Sequence, residues 1–319
     1  MDPELWKETV ITLALQKTFL MHAVFLVTAT HLQHLQPNDT GHQLTALDHL
    51  SQALPKFRKT LAANSEFKGS HGEALIACSM LLLQYSWTYD SEGWSNVLGL
   101  YRGLKSIVIE FIETLDGSDG SRLTTMFTSM LSYSPRMRIE RHFQNTKIPS
   151  DIEDIFIHVL SCPKISETQP DELTDFTEPS NRLMTILFAL KLRARDLEAS
   201  GLMLDVARYL FSWPNLLPNC FINLLRRDDE RAQVILLYYF AAVSRLRADR
   251  FWWMRERGVY MFEAILSNVG DRCTECTDRA SEIYNSEGSK SCADLGLELE
   301  ECVETPFHFQ QCPNQSSNS

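Results

Sequence analysis

Four histidines and one closely spaced pair of cysteines are the side chains of this chain best suited by type to hold a metal. His31 and His34 stand three residues apart, so that on a helix both imidazoles reach one ion, and His22 and His49 are further candidates. No carboxylate or cysteine stands at a spacing that completes such a site, so these histidines are expected to cap, pack or face solvent. Cys273-Thr274-Glu275-Cys276 has the two-residue gap of a zinc knuckle. Its expected complement, a second C-x-x-C, is missing, because Cys292, Cys302 and Cys312 follow singly. Free thiols on a solvated tail are therefore expected, with no metal and no cofactor.

Catalytic signatures are absent as well. The chain contains no H-E-x-x-H, G-x-S-x-G or G-x-G-x-x-G. Gly103-Leu104-Lys105-Ser106 resembles a phosphate loop only superficially, since it continues an amphipathic helical pattern and no strand precedes it. The missing motifs point away from an enzyme.

The elements that must position these residues read as helices throughout, because apolar side chains recur at spacings of three and four and period-2 alternation never persists. Leu5–Gln36 reads as one long helix or two meeting near Lys17, followed by a Pro37-Asn38-Asp39 turn and a helix carrying Leu44, Leu47, Leu50, Leu54 and Leu61, which Pro55 is expected to kink or interrupt. Ser70 and Glu73 have the spacing of a capping box opening a helix over 74–87, and Trp94 starts another that runs to about Leu115. Residues 145–180 read as loop-rich apart from a short helix near 151–160. Pro179 fits a first helical position, Gly201 an interruption, and two further helices span 228–247 and about 249–268. The fold class predicted is all-α: one helical-bundle-like domain over 4–270, then a partly disordered acidic tail over 271–319.

The chain of 319 residues is 44% apolar and 22% charged, a balance that suits a globular protein. Its apolar runs fall short of the roughly 20 residues a bilayer requires, so no membrane span is predicted, and the N-terminus lacks a secretory pattern, so an intracellular chain with reduced thiols is expected. Net charge is −11, and residues 270–319 hold ten acidic against three basic side chains. Such a chain is not expected to bind DNA specifically by itself, because phosphate neutralisation needs a basic stripe. The arginines between 226 and 257 are interleaved with Asp and Glu, as on a salt-bridged surface.

Three blocks carry a resemblance. They are Phe19-Leu20-Met21-His22-Ala23-Val24 through Ala29-Thr30-His31-Leu32; Glu73-Ala74-Leu75 through Tyr85, Trp94 and Leu100 to Ile107; and Trp213-Pro214, Phe221, Leu224-Leu225-Arg226-Arg227, Ala232 to Tyr239 and Phe251-Trp252-Trp253-Met254 with Gly258. In order and spacing the chain resembles the regulatory domain of fungal zinc-cluster transcription factors of the sterol-uptake-control type. The resemblance implies an all-helical, often dimeric module whose apolar pocket takes a sterol and controls nuclear entry, with DNA contact left to a separate six-cysteine cluster that these residues do not contain. One departure stands out: Glu256-Arg257-Gly258 occupies the place where that family tends to have Gly-Trp-Gly.

An apolar, sterol-like ligand is accordingly expected between the helices 228–247 and 249–268, with Tyr239, Trp252, Trp253 and Met261 as the ligand-binding residues. Glu256 and Arg257 are expected near the pocket mouth. The alternative is a ligand-free module that dimerises or docks on a DNA-binding transcription factor. Nuclear residence, with shuttling from the cytoplasm, goes with either. The segment 294–301, acidic and apolar, is a candidate activation segment.

Overall fold

A computed structural model of the chain describes residues 6–63, 69–88, 94–114, 134–143, 148–165, 173–192, 194–270 and 272–286. Among these residues every regular element is helical. After a π-turn at Trp6–Val10 come α1 (Ile11–Gln16), α2 (Thr18–Leu35), α3 (Thr40–Ala62), α4 (Gly69–Thr88), α5 (Trp94–Thr114), α6 (Ser134–His142), α7 (Ser150–Ser161) and α8 (Thr174–Leu190). The chain continues through α9 (Ala194–Ala199), α10 (Leu202–Ser212), a 3-10 turn at Trp213–Leu216, α11 (Asn219–Arg226), α12 (Glu230–Ser244), α13 (Ala248–Val269) and α14 (Thr274–Asn285).

Local chemistry accounts for most boundaries. Lys17 adopts extended backbone between α1 and α2, at the position where the sequence suggests that two helices meet. Asp39 caps α3, its carboxylate accepting from the Gly41 N–H at 2.8 Å, and Asp229 caps α12 by accepting from the Ala232 N–H at 2.9 Å. Each cap satisfies a donor that a helix start leaves open. Gly201 takes φ of 71°, a left-handed conformation that glycine adopts at little cost, and separates α9 from α10.

Three expectations of detail give way. α3 runs unbroken through Pro55, held on either side of it by buried Ala53 and by Phe57, whose ring lies 6.2 Å from that of Phe19 in α2. Pro179 lies in the second turn of α8, not at its start. The extra turn buries Phe176 against Phe221 and beneath the Arg231 guanidinium, which offsets the one backbone bond that proline cannot make. α4 begins at Gly69, so Ser70 stands inside its first turn.

α2 and α3 form an antiparallel hairpin packed on α4, and α4 leads through α13 to the C-terminal half. There α12 is the axis, in contact with α7, α8, α10, α11, α13 and α14. Except for Glu230 and Gln233, every residue of α12 is buried. The packed core continues past residue 270: Cys273, Cys276 and Ala280 are buried on α12. No described helix is long and apolar enough to cross a membrane.

α12 and α13 approach closely at Gly258. A Cβ there would lie 2.7 Å from Val243 Cγ1 and 2.9 Å from the Ser244 backbone nitrogen. Gly258→Ala is therefore expected to destabilise the fold by about 1–3 kcal/mol, the usual cost of overpacking, in chemical denaturation. Gly103→Ala, on an open helix face with nothing within 4 Å of the new methyl, is expected to stabilise by about 0.5–1 kcal/mol through helix propensity.

Candidate functional site

A kink at Phe251, whose φ of −130° and ψ of 32° leave the helical region, lies in the first turn of α13, directly before two neighbouring tryptophans. Consecutive residues on a helix point about 100° apart, and the pair is accordingly divided between two surroundings. Trp253 enters an aromatic network, edge-on to Phe211 at 5.4 Å and to Trp87 at 6.2 Å between ring centres. Trp87 meets Trp94 at 5.3 Å and donates its indole N–H to the Tyr101 hydroxyl at 3.1 Å. Trp94 in turn meets Tyr239 and Phe240 of α12. Tyr239 stacks on Trp213 at 4.4 Å and satisfies its hydroxyl by donating to the Leu210 carbonyl at 2.9 Å. Burial pushes the phenols of Tyr101 and Tyr239 well above their ordinary value, so both stay neutral.

Trp252 points the other way, toward α2. It stacks on the His34 ring at 4.3 Å and lies 5.3 Å from that of His31. Thus Tyr239 and Trp253 share one network and Trp252 belongs to another contact, while Met261 packs, partly buried, on the edge of the core. Glu256 is exposed and reaches His34 Nδ1 at 2.7 Å. Arg257 is buried, its guanidinium 5.6 Å from the Tyr260 ring, so the second expected mouth residue faces the interior.

The histidines likewise divide into two pairs. His22 and His49 approach at 3.2 Å between Nδ1 atoms, and Lys56 Nζ stands 3.0 Å from His22 Nε2. A cation in that position competes with a bound metal. Burial first, then the neighbouring His34, lowers the basicity of His31.

The cysteines are arranged otherwise than the sequence suggests. Cys273 and Cys276 are buried at the start of α14, and α7 brings His158 and Cys162 against them. The four ligand atoms lie within 4.8 Å of one another. Burial raises the Cys273 thiol, but His158, the Cys276 backbone N–H, and the Cys276 and Cys162 thiols more than offset it and bring it down to about 7. His158 and Cys162 are the residues that sequence reasoning missed. The available signal was the H-x-x-x-C spacing at the end of a helix.

Residues 2–143 match the fungal specific transcription factor domain. The chain carries a regulatory domain of the fungal transcription factor type. It is 32% identical over 263 residues to sterol uptake control protein 2 of Saccharomyces cerevisiae, an alignment covering 79% of this chain and 26% of that protein. No solved structure matches it significantly. The fungal transcription factor domain match runs from the N-terminus through α6 and thus holds the α2–α3 hairpin and the tryptophans of α4 and α5. This family consists of transcription factors and is not a family of enzymes.

The lowered His31 value has a pH consequence for this domain. With a folded value below the ordinary 6.5, the unfolded chain binds the proton more readily. The stabilisation is full above about pH 6.5 and is lost as pH falls through the folded value. His22, lowered by burial and by Lys56 and His49 against the opposing pull of Asp48, acts in the same direction. The melting temperature is expected to fall between about pH 7 and pH 5, and His31→Gln is expected to flatten that slope.

Proposed function

We propose that the chain is the ligand-sensing regulatory domain of a transcription regulator, responding to an apolar, sterol-like small molecule bound against α12 and α13. The observation that carries this reading is the aromatic network joining Tyr239 and Trp253 through Trp87 and Trp94. Apolar pockets are lined by such rings with few polar groups. The name of the yeast relative supports the sterol class. Trp252 and Met261 act at the margin of the site, and the close approach at Gly258 confines the ligand to the Trp253 side of the helix pair. Exposed Glu256 pairs with His34 on the Trp252 face of α13, away from that side.

In this reading the domain works in the nucleus, shuttling from the cytoplasm, and leaves specific DNA contact to a DNA-binding partner or to another part of the regulator. A second reading, an interaction module without a ligand, draws on the exposed apolar side chains Leu15, Phe25, Leu32, Leu35, Leu44 and Leu47 along α1, α2 and α3. A face of that kind suits a second copy or a partner helix.

Titration with a solubilised sterol separates the two. Saturating sterol is expected to change tryptophan fluorescence and to stabilise the fold by about 2.7 kcal/mol at a hundredfold excess over Kd. Trp253→Leu and Tyr239→Phe should weaken binding about tenfold or more, or ~1.4 kcal/mol, and Trp252→Ala less. Unchanged fluorescence and melting temperature at saturation would favour the interaction module, as would a dimer that Leu44→Glu dissociates.

A further inference from the structure

We propose that His158, Cys162, Cys273 and Cys276 form a structural zinc site that fastens α14 to α7 at the side of α12. The donor set is three thiols and one imidazole from two short motifs, H-x-x-x-C and C-x-x-C, which match the spacings that let two ligands of one segment reach a single ion. Zn–S bonds of about 2.3 Å place tetrahedral sulfur ligands about 3.8 Å apart. Here the Cys162 and Cys273 sulfurs are 3.5 Å apart, and all four ligand atoms fall within 4.8 Å. Closing on an ion thus takes shifts of the order of an ångström or less. A hydrophobic core has little reason to gather these four groups at one point. The buried Nε2 of His158 has no hydrogen bond of good geometry, since the Glu275 carboxylate stands 3.6 Å away.

The surroundings fit a closed structural site. Cys162, Cys273 and Cys276 are almost wholly buried, and no gap in the four-ligand set is left for a reacting water. Buried Arg231 donates to the carbonyls of Val159, at 3.2 Å, and Cys162, at 3.3 Å, and so fixes the end of α7 while placing a positive charge beside a cluster that carries net charge −1 once three thiolates surround Zn²⁺. Tyr238 donates to the Cys276 carbonyl at 2.8 Å. Outer hydrogen bonds of this type orient metal ligands. Three soft thiolates and a neutral imidazole select zinc over magnesium or calcium, which require oxygen donors. Binding releases the thiol protons to solvent and changes no oxidation state.

The full chain, prepared under reducing conditions, tests this with zinc and cobalt as the probes. One tightly bound zinc per chain is expected by elemental analysis. After exchange, cobalt should give the intense visible bands of a tetrahedral ion and a sulfur charge-transfer band sized for three thiolates. Cys276→Ser and Cys162→Ser should abolish both, and His158→Cys should keep the metal with a stronger charge-transfer band. Replacing Cys292, Cys302 and Cys312, which lie outside the described residues, should leave the spectrum unchanged. Tyr238→Phe should lower zinc affinity about tenfold. Zinc removal should raise hydrogen exchange across α14 while the exchange of α12 stays slow, a readout that does not depend on any variant folding. The proposal is overturned if the reduced wild-type chain gives no tetrahedral cobalt spectrum, if the spectrum vanishes only with the tail cysteines, or if Cys162 and Cys273 are found as a disulfide in protein purified without oxidant.

Discussion

The burial of α12 on every side is the constraint on which the rest of the fold depends. A helix apolar around its whole circumference must be surrounded, and the run from Val234 to Val243 requires neighbours in every direction; α7, α8, α10, α11, α13 and α14 supply them. The two arginines that stand at its ends show how polar groups are accommodated beside such an axis. Arg231 reaches the carbonyls that end α7, and Arg245 donates to the Leu190 carbonyl that ends α8, at 2.9 Å. Both cations meet the negative ends of neighbouring helices, where carbonyls lack partners within their own helix. The axis therefore fixes its neighbours by their ends as well as by their apolar faces.

Much of this was legible along the chain because it is local. The break at Lys17, the turn into α3 at Asp39, the extent of α5 and the start of α12 at Asp229 are each decided by a few adjacent residues. What could not be read was decided by tertiary contact. Pro179 has the sequence character of a helix start because nothing in the sequence reveals that Phe176, one turn earlier, is buried beneath Arg231. α14 gives no helical signal in the sequence because Thr274–Asn285 is polar and buries mainly small side chains, Cys276, Thr277 and Ala280, which give little hydrophobic periodicity.

The cysteine cluster shows the same limit more sharply. Cys273 is 111 residues from Cys162, and neither motif alone makes a four-ligand set. Only the docking of α7 and α14 on the same axis joins them. The four residues expected around a ligand show the converse. They are close in sequence and rich in rings, yet the step of about 100° between consecutive helical residues turns Trp252 toward α2 and Trp253 toward the network around Tyr239, and which neighbour each meets is decided by tertiary packing.

That division gives α13 a particular place in the molecule. One face carries Trp253 into the aromatic network around Tyr239, and another sets Trp252 and Glu256 against His34 of the α2–α3 hairpin. Between them, the contact of Gly258 with Val243 and Ser244 leaves no slack against α12. Close-packed interiors do not deform smoothly. The stack of Trp252 on His34 ties α13 to the hairpin whose outer face exposes Phe25, Leu32 and Leu35. α13 thus touches both the aromatic network to which the first proposed reading assigns a ligand and the hairpin to which the second assigns a partner.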